Sequence, residues 1–312
     1  MNEEMASTRL AAGEAMLELA RQGADIVAIS ADTSKSMYID LLKKDFDERC
    51  IDTGIAEQNM MMIAAGLASA GKIVFAASYS VFTSMRCCEQ LRTFIAYPNL
   101  NVKIIAGMGG LTAGTEGVTH MATEDLGIVR CIANFAVMAP SDAVAVKKAV
   151  KAAAFYRGPV YIRVGREPSP VLSDDKSDFE IGRSIMHKKG RDITIIAAGL
   201  VLYEVFEAAK LLEKQGINAG IIEVHTLKPV LNPELILSEA MSTKNVITVE
   251  EHNVTGGLGS VVSEIIAGNG TIKFKKLGLQ DTFAESGTFD ELLTKYRLKA
   301  PCIAEEAIEM IK

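Results

Sequence analysis

One carboxylate, Glu57, lies where a polar loop meets a strongly apolar segment. The loop extends from Asp52 to Ala56, and the segment from Met60 to Ala70 has the composition of a helix. Acidic residues are common in the first turn of a helix because the unpaired N–H groups attract negative charge. This position alone therefore indicates only helix capping, and a chemical role for Glu57 requires partners elsewhere in the chain.

Three large side chains follow at regular spacing, namely Tyr79, Phe82 and Met85. At i, i+3 and i+6 they line one face of a helical turn. Such a stripe most often packs into a core, and it would equally suit an apolar slot for a flat ring.

A Gly-rich polar loop from Gly114 to His120 follows a predicted buried strand, where α/β proteins commonly place ligand-binding groups. The loop offers Glu116 and His120. A single histidine in a loop is most often a surface residue, whereas in a site it suits general acid–base catalysis.

Arg9, Arg166 and Ser36 carry side chains that can bind an anion, although residue type and spacing alone do not single them out. Arginine binds phosphate and other oxyanions through two parallel hydrogen bonds. Each arginine taken alone is equally compatible with an exposed salt bridge.

Short apolar runs alternate with helical segments, which is typical of strands buried on both faces of a parallel sheet. The order strand, helix, strand implies right-handed crossovers. We therefore predict an α/β fold of two consecutive domains with mostly parallel sheets flanked by helices. The predicted strands are 26–29, 73–75, 102–105, 135–138, 160–162, 193–196, 219–224 and 246–249, and the predicted helices are 7–23, 60–70, 81–97, 141–156, 200–215 and 256–266.

The composition changes after residue 167, where Pro, Ser and Asp replace apolar residues. Such a stretch is typical of a connection between domains. The predicted organisation is a first domain at 1–170, a linker at 171–188 and a smaller domain at 189–312.

The composition excludes several classes of function. The chain has 312 residues, 49% of them hydrophobic, with a net charge of −6 and no dense basic run, which argues against nucleic acid and anionic membranes as partners. The mean hydropathy of +0.20 is high and indicates apolar surface covered by a partner. Five cysteines without a CxxC pair, no signal peptide and no membrane-spanning run predict a cytoplasmic protein with no metal site of its own.

The segment Gly54 to Met60, with its small-residue helix, and the loop Gly114 to His120 resemble the thiamine-diphosphate enzymes of the transketolase family. The resemblance implies that Glu57 contacts N1′ of the cofactor's aminopyrimidine ring, and that Tyr79, Phe82 and Met85 line the slot for that ring. It also implies that His120 binds the substrate's oxygens and assists proton transfer.

The same resemblance implies an anionic tail pocket built from Arg9, Ser36 and Arg166. Glu116 stands where the family has an aspartate that binds a substrate hydroxyl. Met108 stands where transketolases have a histidine, and a thioether donates no hydrogen bond. The tail group of the substrate is therefore left open between phosphate, sulfonate and an uncharged group.

The resemblance covers only the C-terminal half of a full transketolase. The Gly-Asp-Gly signature, which in this family binds the cofactor's diphosphate through a metal ion, does not occur in this sequence. In the second domain, the run from Glu250 to Ser260 resembles the family's C-terminal domain and is interpreted as structural, because it lacks the ending of a P-loop.

We therefore expect the C-terminal subunit of a split transketolase. A separate N-terminal subunit would hold the diphosphate with Mg²⁺ or Ca²⁺. The expected assembly is α₂β₂, with a homodimer formed through the pyrimidine-binding domain when the chain is alone.

The expected reaction is transfer of a two-carbon ketol unit from a ketose, expected to be a phosphate, to an aldose. Three alternatives remain: a 1-deoxy-D-xylulose-5-phosphate synthase-like subunit, a 2-oxo-acid dehydrogenase β-like subunit, and a non-catalytic partner that regulates a full-length enzyme.

Overall fold

The computed structural model describes residues 4–174 and 179–312. Its first part contains strands and helices in alternation, ending at Pro170. The strands are β1 (Met5–Ala6), β2 (Ile26–Ser30), β3 (Cys50–Asp52), β4 (Ile73–Tyr79), β5 (Val102–Gly107), β6 (Ala136–Met138), β7 (Val160–Arg163) and β8 (Ser169–Pro170), and the helices are α1 (Thr8–Arg21), α2 (Asp40–Lys43), α3 (Glu57–Ser69), α4 (Asp125–Cys131) and α5 (Ala143–Phe155).

Strands β2 to β7 form one parallel sheet in the order β3-β2-β4-β5-β7-β6. Neighbouring side chains on a strand point to opposite faces, which explains how one strand serves two cores. Ile26 and Ala28 pack with α1 and α5, whereas Val27 and Ile29 pack with α3. The continuous apolar runs are therefore buried on both sides.

The second part repeats the architecture with an edge strand of opposite direction. Its sheet has the order β9-β11-β10-β13-β14, with only β9 antiparallel. The strands are β9 (Ile185–Lys188), β10 (Ile193–Ala197), β11 (Ala219–Glu223), β12 (Thr226–Lys228), β13 (Asn245–Asn253) and β14 (Lys273–Leu279), and the helices are α6 (Leu202–Glu213), α7 (Pro233–Thr243), α8 (Leu258–Ile266), α9 (Phe289–Lys295) and α10 (Ala300–Ile311).

The two parts are joined by the pairing of one strand across the boundary as well as by side-chain contacts. Strand β12 lies in the second part but pairs antiparallel with β6, at the edge of the first sheet. Strand β8 returns to pair with β1. Strand β9 occupies the end of the segment predicted as a linker at 171–188, and residues 175–178 of that segment lie outside the described residues, as do residues 1–3.

The fold class is confirmed: two consecutive α/β domains with mostly parallel sheets flanked by helices. Within residues 4–174 and 179–312, no helix is both long and apolar enough to cross a membrane.

One predicted element has a different geometry. The expected helix at 81–97 consists of two π-helical segments, Phe82–Arg86 and Gln90–Ala96. Tyr79 precedes both segments and ends β4. The prediction that Tyr79, Phe82 and Met85 share one α-helical face is therefore wrong in its geometry.

Candidate functional site

The loop before α3 is held in place by Asp52. Its carboxylate accepts hydrogen bonds from the Ser30 hydroxyl at 2.8 Å and from the N–H groups of Asp32 and Gly54 at 3.0 and 2.9 Å. Burial alone would raise the pKa of Asp52, but these hydrogen bonds outweigh it and lower the pKa. Gly54 adopts a φ of +66°, which side chains rarely tolerate, and the turn delivers Glu57 to the start of α3.

Glu57 is the first residue of α3, and only 3% of its side chain is exposed. Its Oε2 lies 2.6 Å from Nη1 of Arg86. The Arg86 guanidinium also lies over the Phe82 ring, with Cζ 4.2 Å from the ring centroid. A buried carboxylate, a planar cation and an aromatic face are thus in direct contact.

The aromatic residues predicted from the sequence do come together. The Tyr79 and Phe82 rings stack at 5.9 Å with an angle of 26° between their planes. His120 meets the edge of Phe82 at 5.3 Å and lies 6.1 Å from Tyr79. Met85 follows in the π-helical segment with 39% of its surface exposed, which makes it the most exposed of the three predicted slot residues.

The Tyr79 hydroxyl connects the aromatic pair to the predicted anion site. It donates to Ser36 Oγ at 3.3 Å, and Arg9 Nη1 donates to the Ser36 carbonyl at 2.8 Å. Arg9 Nη2 donates to the carbonyl of Arg166 at 2.7 Å. Burial lowers the pKa of Arg9, and its buried Nε has no hydrogen-bond partner among the described residues.

Arg166 is already paired with acidic side chains. Its Nη1 lies 2.8 Å from Glu116 Oε1 and donates to the Ala113 carbonyl at 3.1 Å, and its Nε lies 3.5 Å from Glu167 Oε1. A cleft of about 460 Å³ opens beside Arg166. Thr288 and neighbouring residues of the second domain form its opposite wall, so both domains line the cleft.

Met108 does not join this surface. It is 2% exposed and packs with Leu111 in an apolar cluster shared with the second domain. Its φ of +58° places it in the left-handed region at the end of β5. The thioether is therefore a core group in this chain.

A seam of buried polar residues lies between the domains and consists of Asp125, Tyr161 and Arg163. The sequence analysis did not predict it. Asp125 accepts a hydrogen bond from the Tyr161 hydroxyl at 2.9 Å and lies 3.4 Å from Arg163 Nε. Arg163 Nη2 donates to the carbonyl of Glu251 at 2.8 Å. Asp125, the β7 residues and Glu251 are far apart in sequence and show no motif, so only the fold brings them together.

The contacts of the Gly-rich run after β13 support a structural role. Glu250 accepts the N–H groups of Leu258 and Gly259 at 2.6 and 2.8 Å, so its own carboxylate occupies the N-terminus of α8. A Cβ at Gly257 would lie 2.0 Å from Glu250 Oε2, which explains the glycine. Within the part of the chain that the structure describes, no group of three His, Cys, Asp or Glu side chains is placed to hold a metal ion.

Comparison with known families identifies the family to which this chain belongs. A family model described as "Transketolase, pyrimidine binding domain" matches residues 4–170. A second, described as "Transketolase, C-terminal domain", matches residues 182–303. This chain belongs to the transketolase family. The β3-α3 loop, the aromatic pair and the loop with His120 all lie in the pyrimidine-binding domain of this transketolase chain.

Several transketolase relatives match along nearly their whole length. A putative transketolase C-terminal section of Methanocaldococcus jannaschii is 42% identical over 96% of this chain and 95% of its own. A 6-deoxy-6-sulfo-D-fructose transketolase subunit of Clostridium is 38% identical over 95% and 91%. A subunit of the apulose-4-phosphate transketolase of Phocaeicola vulgatus is 36% identical over the full length of both.

A solved structure of a split gene transketolase, described as an inactive β₄ tetramer, superposes with a TM-score of 0.90 at 42% identity, covering 98% of both chains. The transketolase chain therefore has the extent and fold of a subunit from a split enzyme.

Proposed function

We propose that this chain is the C-terminal subunit of a two-subunit, thiamine-diphosphate-dependent transketolase. It would transfer a two-carbon ketol unit from a ketose bearing an anionic tail to an aldose acceptor. The observation that carries the proposal is one connected strip of side chains that begins at the buried Glu57 carboxylate. Arg86 binds Glu57 and lies over the Phe82 ring, and Phe82 contacts both Tyr79 and His120. The Tyr79 hydroxyl donates to Ser36, whose carbonyl accepts a hydrogen bond from Arg9.

The residues present fit the aminopyrimidine of the cofactor. Glu57 and Phe82 together already accommodate a flat, N–H-bearing cation, the Arg86 guanidinium. A ring that is equally planar and carries N–H donors is compatible with the accepting carboxylate of Glu57 and the aromatic face of Phe82. When bound, thiamine diphosphate supplies the nucleophile and the electron sink for breaking a carbon–carbon bond next to a carbonyl.

Each residue of the strip has a role in this proposal. Glu57 holds a proton at N1′ of the pyrimidine, and Tyr79 and Phe82 exclude water from the ring, with Met85 at the open side. His120 binds the oxygens at the reacting carbon and moves protons there. Glu116 accepts a hydrogen bond from a substrate hydroxyl.

The substrate class follows from the cleft at the far end of the strip. Arg166 lies beside the cleft of about 460 Å³, and Arg9 Nη2 donates to the Arg166 carbonyl. Guanidinium groups suit phosphate and sulfonate alike. The relatives named for a sulfo-sugar and for a sugar phosphate support a donor with such a tail.

In this proposal a second subunit supplies the site for the cofactor's diphosphate. We infer an N-terminal partner that holds the diphosphate through Mg²⁺ or Ca²⁺. Exposed apolar side chains on and beside α3 and the first π-helical segment, namely Ile55, Met62 and Met85, support association through the pyrimidine-binding domain. The α₂β₂ assembly and the isolated homodimer remain predictions, and light scattering of the chain alone distinguishes a monomer, a dimer and a tetramer like that of the split-gene relative.

The test is reconstitution with a chain that carries the Gly-Asp-Gly signature, with thiamine diphosphate, Mg²⁺ and a panel of donors. We expect turnover with xylulose phosphate or a sulfonated ketose, and none from either subunit alone. Glu57→Ala should remove most turnover while the chain stays folded, and Glu89→Ala, an exposed carboxylate in the same region, serves as the matched control.

Three results would contradict the proposal. Near-normal turnover of Glu57→Ala would remove the carboxylate from the mechanism. Turnover with pyruvate and none with ketoses would favour the synthase-like or dehydrogenase-like alternative, and no turnover with any donor, together with altered activity of a full-length enzyme, would favour the regulatory one.

A further inference from the structure

We propose that Arg86 is an internal ligand of the pyrimidine slot, and that the aminopyrimidine must displace its guanidinium in order to bind. The inference rests on the proposed function, because it concerns the same slot. It adds a residue that controls how readily the cofactor enters.

The contacts of Arg86 are those that the aminopyrimidine would need. Its Nη1 lies 2.6 Å from Glu57 Oε2, and Glu57 is the carboxylate proposed to hold the proton at N1′. Its Cζ lies 4.2 Å from the centroid of Phe82, the ring proposed to line the slot. One flat cation therefore occupies the hydrogen-bonding partner and the stacking partner together.

Chemistry explains why a guanidinium takes this place. A buried carboxylate without a partner is strongly unfavourable, so Glu57 requires a cation or hydrogen-bond donors beside it. A guanidinium is planar, presents several N–H donors and stacks on aromatic faces. Arg86 thus satisfies Glu57 and covers Phe82 until another planar donor arrives.

The side chain of Arg86 is able to leave without unfolding its surroundings. It is 44% exposed, whereas Glu57 is 3% exposed, so the guanidinium lies at the mouth of the slot and the carboxylate at its base. The Arg86 backbone is held separately, because its carbonyl accepts a hydrogen bond from Gln58 Nε2 at 3.0 Å. Rotation of the side chain into solvent therefore opens the slot and leaves the π-helical segment in place.

Displacement lowers the apparent affinity for the cofactor. The apparent dissociation constant is the intrinsic one divided by the fraction of chains whose slot is open. A charge-assisted hydrogen bond to a buried carboxylate is strong enough to keep that fraction near one in ten. Removing the guanidinium should therefore tighten cofactor binding by about tenfold.

The experiment is titration calorimetry of the reconstituted enzyme with thiamine diphosphate at fixed Mg²⁺. We compare the wild type, Arg86→Ala and Arg92→Ala, whose exposed guanidinium lies in the neighbouring π-helical segment and donates only to Thr93 Oγ1 among the described residues. Arg86→Ala should bind the cofactor about tenfold more tightly, and Arg92→Ala should match the wild type.

A second measurement separates displacement from a purely structural effect. Millimolar methylguanidinium should weaken cofactor binding to Arg86→Ala, because it refills the vacated position, and should leave the wild type unchanged. If Arg86→Ala does not assemble with the partner, Arg86→Gln takes its place, since Gln lacks the charge and keeps much of the side chain's bulk.

The outcomes distinguish this proposal from the function it rests on. Equal or weaker binding by the Arg86 variants, with normal binding by the wild type, overturns the displacement alone. Absence of any binding by the wild type overturns the proposed function and the displacement with it. Tighter binding reversed by methylguanidinium supports both.

Discussion

Glu116 Oε1 lies 2.8 Å from Nη1 of Arg166, and each side chain is 30% exposed. The pair joins the position proposed to bind a substrate hydroxyl to the position proposed to bind the substrate's tail. Arg166 is therefore neutralised before any substrate arrives, and an anionic tail must compete with Glu116 for the guanidinium.

The first prediction concerns Glu116→Gln. Removing the negative charge frees Arg166 for an external anion. Partly exposed ion pairs of this kind have an interaction energy of up to about 1 kcal/mol, which is the energy that an external anion no longer has to overcome. The inhibition constant of inorganic phosphate, measured as competition against the donor in the reconstituted enzyme, should fall roughly threefold to fivefold.

Two variants control this prediction. Glu167→Gln removes the more distant carboxylate, 3.5 Å from Arg166 Nε, and should have a smaller effect. Arg166→Gln should abolish the inhibition. Unchanged inhibition in both Glu116→Gln and Arg166→Gln would show that phosphate binds elsewhere.

The second prediction concerns His120→Asn. His120 meets the edge of Phe82 at 5.3 Å and its Nδ1 lies 3.0 Å from Thr119 Oγ1, so the ring is oriented towards the aromatic pair. Loss of an acid–base group should lower kcat by roughly 100-fold or more, while the affinity for thiamine diphosphate stays unchanged. His187→Asn, in β9 of the second sheet, should retain near-normal kcat, and a similar fall in both variants would contradict a specific role for His120.

Sequence patterns were sufficient for the fold because the central strands of both sheets, such as β2, β5 and β10, are buried on both faces. The apolar runs at Ile26 and Ile73 contain no polar residue, and a strand of that composition requires helices on both sides of the sheet. Strand β12 could not be predicted, because Thr226–Lys228 pairs with β6 across the domain boundary and carries no local signal for that partner.

In the candidate site, too, the sequence predicted the residues that belong to local motifs and missed a residue that belongs to none. The resemblance identified residues that share a motif, and the structure brings Glu57, Tyr79, Phe82 and His120 into one strip. Arg86 was missed because only apolar and aromatic side chains were considered for the slot. Arg86 lies four residues after Phe82, a spacing that puts two side chains on the same helical face, and its guanidinium covers the ring.

The third prediction is a pH dependence of stability that originates at Glu250. Burial raises the pKa of this carboxyl to about 7, against an ordinary value of 4.5. Between these two values the folded chain binds a proton that the unfolded chain does not, so the stability contributed by the neutral group is lost as the pH rises from 4.5 towards 7.

Glu250→Gln carries no such titration and isolates the effect. The free energy of unfolding of the wild type, minus that of the variant, should fall by a few kcal/mol from about pH 5 to about pH 8. Urea denaturation of the isolated chain at each pH measures the difference. A constant difference across this range would show that Glu250 has an ordinary pKa in the folded chain.

The fourth prediction concerns the seam between the domains and the variant Arg163→Met. Arg163 lies 3.4 Å from the fully buried Asp125 and donates to the carbonyl of Glu251 in the second domain. Methionine fills much of the same volume but leaves Asp125 with the Tyr161 hydroxyl and no positive charge.

An uncompensated buried carboxylate should cost about 3–5 kcal/mol, measured as the loss in the free energy of urea unfolding. Arg157→Met, at an exposed position, should cost less than about 0.5 kcal/mol. The double variant Arg163→Met with Asp125→Asn decides the cause, because it removes the unpaired charge and should recover at least about 1 kcal/mol. If the double variant is no more stable than Arg163→Met, the lost hydrogen bonds to Ala122 and Glu251 carbonyls, rather than the charge of Asp125, account for the destabilisation.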